Sequence, residues 1–151
     1  MPAAPLHQKS FHSSDLSRHS GMVFAAAEDH PVQVTRRDGD ALVLMSQREA
    51  DARESLLQLA AQLIAAATSE SGTLAESMAE RLTWMLALST EDQERCAADL
   101  LRAARASFAT NQAHLAIAEL TAWRETAIAN AAGLGTGRVD WIDTGIVVER
   151  P

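Results

Sequence analysis

The sequence predicts an α+β chain: a small N-terminal β-α-β-β-α unit, then a mainly α-helical C-terminal region ending in a terminal strand or hairpin. Three observations carry this. The stretch "PVQVTRRDGDALVLMS" sets two apolar runs around Asp38-Gly39, a dipeptide suited to tight hairpin turns because glycine accepts positive φ. Patterns of the form S/T-x-x-E/Q at Ser46 and Thr73, and at Thr90, mark helix starts. Alanine fills 30 of 151 positions and aromatics are scarce, a composition that favours closely packed helices.

Taken in order, residues 1–9 are Pro/Ala-rich and read as a loose leader. Ser10 to Ser13 reads as an edge strand. Ser14-Asp15 starts a helix, since either side chain can accept a bond from a first-turn amide. Leu16, Ser20, Val23, Phe24 and Ala27 then recur on one face, and "EDHP" stops the helix because the residue before Pro avoids helical backbone. Val32 and Val34 alternate with Gln33 and Thr35 as a half-buried strand, and Leu42 to Met45 returns. From Ser46 a helix carries the stripe Arg53, Leu56, Leu57, Ala60, Leu63, Ile64 and Ala67.

Beyond it, Thr73 leads into Met78, Leu82, Met85 and Leu86. Thr90 leads into Ala97, Leu100, Leu101 and Ala104. A longer helix holds Leu115, Ile117, Leu120 and Trp123 and stops near Gly133. Residues 138–148 mix β-branched residues with Trp141 around Thr144-Gly145, which is strand chemistry. The resulting division is 1–9, 10–67 and 70–151.

The formal net charge is −7, unevenly spread. Residues 1–50 are nearly balanced, whereas residues 51–151 set eight arginines against fourteen acidic residues, which suits a basic partner. No apolar run reaches the ~18 residues of a membrane span, and the opening lacks a signal peptide's apolar middle. With one cysteine, Cys96, no internal disulfide forms, and a cytoplasmic location is expected.

Several constellations have residue types that could carry chemistry. His12, Asp15 and His19 have metal-like spacing, but His12 precedes the helix start, so the three do not share a face. Ser, His and Asp near the N-terminus do not make a triad by proximity in sequence. "GLGTG" lacks the strand before and helix after that a phosphate cradle needs, and reads as a helix stop. Cys96 reads as an inert helix residue. The expectation is therefore a protein that is not an enzyme and carries no metal or cofactor.

The stretch "SSDLSRHSGMVFAAAEDHPVQVTRRDGDALVLMSQREADA" resembles the Phd/YefM (prevent-host-death) antitoxins of type II toxin-antitoxin systems. The likeness covers about 45 residues, from roughly 10 to 55, and is most specific over "PVQVTRRDGDALVLMS". It implies a symmetric dimer, or a higher even oligomer, that binds operator DNA. By position, the DNA-binding residues are Ser14, Ser17, Arg18, Thr35, Arg36 and Arg37. The pattern departs at one point: many members have an arginine where this chain has Leu16 or Ser17. A hairpin with two helices buries little alone, so a dimer core of Val32, Val34, Leu42 and Leu44 is expected.

The resemblance further implies that the C-terminal half sequesters a cognate protein toxin while the N-terminal half represses the operon. A lone terminal hairpin is marginal in water. It is therefore expected to add to a partner's sheet edge, with Trp141, Ile146 and Val148 as anchors and Asp140 and Asp143 facing a basic toxin. Trp84 and Trp123, on amphipathic helices, are expected in the core. The competing reading is a stand-alone transcriptional regulator whose helical half oligomerises or senses. For Arg36 and Arg37 the bland alternative is pairing with Asp38 or Asp40 at a solvated tip.

Overall fold

A computed structural model describes residues 9–135. The chain is α+β, with a small three-stranded sheet near the N-terminus followed by helices. The elements are β1 (Ser10–His12), α1 (Ser13–Arg18), α2 (Ser20–Asp29), β2 (Val32–Thr35), β3 (Leu42–Leu44) and α3 (Gln47–Ala67). They continue with α4 (Leu74–Arg81), a 3-10 turn (Thr83–Ala87), α5 (Thr90–Thr110) and α6 (His114–Ala131). The expected terminal strand over residues 138–148 lies outside the described residues.

Two compact units emerge. The first holds the described residues up to Ala61 together with Ala104–Ile117. The second holds Gln62–Ala103 and the described residues from Ala118 onward.

In the first unit β2 is the central strand. β1 runs parallel to it, Phe11 opposite Val34 and His12 opposite Thr35. β3 runs antiparallel, Val32 opposite Leu44 and Val34 opposite Leu42. Side chains alternate across a strand, so Phe11, Val32, Val34, Leu42 and Leu44 share one face. Phe11, Val23, Ala27 and Val32 form the core beneath it, with Ala26 and Leu44 packed alongside.

The expected first helix is broken. His19, at φ −139° and ψ 40°, separates α1 from α2. Neither Pro nor Gly announces that break. Asp15 serves α1 from inside, its Oδ2 accepting the His12 amide at 2.8 Å. Across the break the stripe loses phase: Val23 and Ala27 are buried, while Leu16 and Phe24 are exposed. The hairpin also departs from a two-residue turn. The connection runs from Arg36 to Ala41, with Gly39 at φ +137°, a conformation that suits glycine.

At α3 half of the expected capping box forms: Ser46 Oγ accepts the Glu49 amide at 3.2 Å, while Glu49 Oε1 accepts from Arg53 Nε at 2.7 Å. The buried face is Leu56, Leu59, Leu63 and Ala66, rotated from the expected stripe, so Leu57 and Ile64 are 63% and 65% exposed.

In the second unit Thr73 caps α4 reciprocally. Its Oγ1 accepts the Glu76 amide at 3.2 Å, and Glu76 Oε2 accepts the Thr73 amide at 2.8 Å. α4 stops at Arg81, so the expected run to Leu86 is completed by the 3-10 turn. Met78 and Met85 are fully buried there and Leu86 is exposed. α5 starts one residue earlier than its predicted cap implied, because Ser89 rather than Thr90 accepts the Asp92 amide, at 3.1 Å.

Both later helices end in the same way. At α5, Asn111 takes φ 54° while Gln112 donates to Ser107 O; at α6, Gly133 takes φ 77° while Leu134 donates to Ala129 O. Each is a left-handed stop that satisfies carbonyls of the last turn. Asn111 supplies by side-chain tolerance of that region what Gly133 supplies by lacking a Cβ. The start of α6 is satisfied from a distance: fully buried Ser107 Oγ accepts the Ala116 amide at 3.0 Å. Ala113, Ala116 and Ala127 are buried, whereas Leu115, part of the expected stripe, is 50% exposed. Among the described residues no helix is long and apolar enough to cross a membrane.

Candidate nucleic-acid interface

Because β1 and β2 are parallel, both leave the sheet at the same end. After His12 the chain enters α1, and after Thr35 it enters the hairpin connection. The structure thus brings Ser14, on the first turn of α1, to the sheet end from which Arg36 and Arg37 project. Thr35 Oγ1 ties the two exits together, donating to Phe11 O at 3.2 Å and lying 3.0 Å from His12 Nδ1. Ser14, Ser17, Arg18, Arg36 and Arg37 are exposed and Thr35 is half-buried.

Arg36 does not pair with a carboxylate. Its Nε donates to the backbone oxygen of Asp40 at 3.0 Å, and the guanidinium lies over Gly39, where an added Cβ would sit 3.0 Å from Nη2. Nε is engaged, while among the described residues the two terminal nitrogens make no bond. Arg37 and Arg18 make no ion pair there either. The pairing of either arginine with Asp38 or Asp40 side chains is therefore absent among the described residues. An unpaired, planar set of donors can take a phosphate oxygen or a guanine edge.

One side chain at this end is not marked by any local pattern in the sequence: His12 meets Thr35 across β1 and β2, which only their pairing makes visible. Lys9, with its Nζ 5.7 Å from the centre of the Phe11 ring, stands at the other end of β1. Among the described residues no group of three or more His, Cys, Asp or Glu is placed to hold a metal.

Of the four expected dimer-core residues, Val32 and Val34 are buried by their own chain, at 1% and 3% exposure. Leu44 is half-buried and Leu42 is 51% exposed. Trp84 and Trp123 are half-buried rather than core residues. Trp141, Ile146, Val148, Asp140 and Asp143 lie outside the described residues. Cys96 is buried, and its thiol is pushed up to about 12, by burial first and then by the charges of Asp99 and Glu119. At neutral pH it stays a thiol, which makes a poor nucleophile.

The chain matches no protein-family model, and no curated protein or solved structure is detectably similar to it.

Proposed function

We propose that this chain is the antitoxin of a bacterial type II toxin-antitoxin pair, with a Phd/YefM-like N-terminal unit. In this reading it represses its own operon by binding operator DNA as a dimer through Ser14, Ser17, Arg18, Thr35, Arg36 and Arg37. The C-terminal half neutralises the toxin by direct binding. The observation that carries the reading is the parallel register of β1 with β2, which supports a common face for the start of α1 and the Arg36-Arg37 loop. Duplicated by two-fold symmetry, such a face becomes a cationic footprint on a chain whose net charge is −7. Leu42, exposed at the edge strand, is available to that dimer.

The test is co-expression with the product of the neighbouring gene, followed by pulldown and growth rescue. Capture and rescue by the full chain, both lost on deleting residues 138–151 while the helical signal persists, are the expected result. Full neutralisation by the truncated chain removes the tail from the toxin-binding role. A second reading, a stand-alone regulator, draws support from the second unit's own buried set of Met78, Met85, Cys96 and Leu100, since a folded module can oligomerise or sense. Operator binding with no captured partner selects it.

A further inference from the structure

We infer that the shallow cleft between α5 and α6 in the second unit seats an arginine side chain of a basic protein partner. The inference rests on the antitoxin reading for the partner being a protein, and on the cleft for its chemistry. Asp92 and Arg95 of α5 and Glu119, Ala122, Trp123 and Thr126 of α6 line it. Trp123 is half-buried and, with Ala122, makes an apolar wall.

The charges around that wall are unequal. Arg95 is already spent, its Nη1 3.6 Å from both Glu91 and Asp92. Asp92 also accepts the Ser89 hydroxyl at 2.9 Å. Glu119 is half-buried, yet among the described residues no cation and no hydrogen-bond donor meets its carboxylate. Its field reaches the Cys96 thiol, which it helps to raise. A half-buried glutamate left without a cation favours one brought by a partner. An anion meets Asp92 and Glu119 there, with Arg95 already paired, and is repelled.

Guanidinium fits this set better than ammonium does. It is planar, so it stacks on an indole face, and it offers two parallel N–H groups to a carboxylate at its rim. It is also weakly hydrated, so a shallow, partly apolar cleft costs it little.

The full-length, 15N-labelled protein is titrated at low salt with the peptide acetyl-Gly-Arg-Gly-amide and with its citrulline counterpart, which keeps the shape and lacks the charge. The Trp123 indole N–H, assigned through Trp123→Phe, should move saturably with the arginine peptide, and the citrulline peptide should bind at least about tenfold more weakly. Glu119→Gln, at a half-buried position with no bonded partner to lose, should fold normally and erase that preference. A citrulline peptide that binds as well, an arginine peptide that gives no saturable shift, or a Glu119→Gln protein that keeps the preference overturns the assignment. Capture of the neighbouring gene product is scored separately. Arginine binding without capture leaves the seat standing and removes the antitoxin reading; capture undiminished by Glu119→Gln, with no arginine binding, does the reverse.

Discussion

Arg36 and Arg37 at the sheet end and Arg95 and Arg102 on α5 are all exposed, but their charges are used differently. On α5 the helix itself supplies the partners. Arg95 reaches Glu91 and Asp92, and Arg102 reaches Asp99, each three or four residues back. At the hairpin Asp38 and Asp40 lie no farther off in sequence, yet the Arg36 contact is with the Asp40 backbone oxygen. A helix turns residues three and four apart onto one face, whereas an open connection splays its neighbours. An acidic chain thereby keeps a locally unpaired cationic end. Arginines tied to carboxylates have already spent their charge; those at the sheet end have not.

The most damaging way to break this contrast is to remove the platform. Val34 is 3% exposed at the central strand, opposite both Phe11 and Leu42. Val34→Asp buries a carboxylate without a partner and should cost several kcal/mol, most of a small domain's margin. Circular dichroism and light scattering should report an unfolded or monomeric chain. An intact folded dimer removes Val34 from the core.

A smaller effect isolates the arginines. In DNA titrations across salt, Arg36→Ala with Arg37→Ala should flatten the slope of log affinity against log salt by about two per protomer. Arg95→Ala with Arg102→Ala should leave the slope where it was, since those cations do not meet phosphate. Equal effects from the two pairs would erase the distinction drawn above.

The smallest expected change concerns helix wiring. Ser107→Ala leaves the buried Ala116 amide without its acceptor and should lower stability by roughly 1–3 kcal/mol in urea unfolding, with no effect on the salt slope. A neutral result means that the amide finds another acceptor.

The order of elements was legible in the sequence because it depends on local signals. The alternation of Val32 and Val34, the caps at Ser46 and Thr73 and the stop at Gly133 each act within a few residues. What depended on helix phase was less legible. In a helix as rich in alanine as α3, the stripes through Leu57 and Ile64 and through Leu59 and Ala66 look alike, and the buried one is chosen by packing. The same holds for α6, where burial goes to Ala113, Ala116 and Ala127 rather than to Leu115, since small side chains allow close approach. The break at His19 carries no Pro or Gly, and the cap from Ser107 comes from a preceding helix. Within the candidate site, the residue types were readable and their convergence was not. Convergence follows from pairing Ser10 with Gln33, which no local pattern encodes.

That pairing also sets a timetable for the growing chain. β1 is made before α1 and α2, and its partner strand appears only after both. At cellular translation rates of about 5–20 residues per second, the interval is roughly one to five seconds. Throughout it the Phe11 side chain has no sheet to close on. β3 follows β2 almost at once, so the hairpin can form early and offer its free edge to the waiting strand. Because β1 is already made and tethered to the hairpin through α1 and α2, its own strand meets that edge at high effective concentration and closes the sheet.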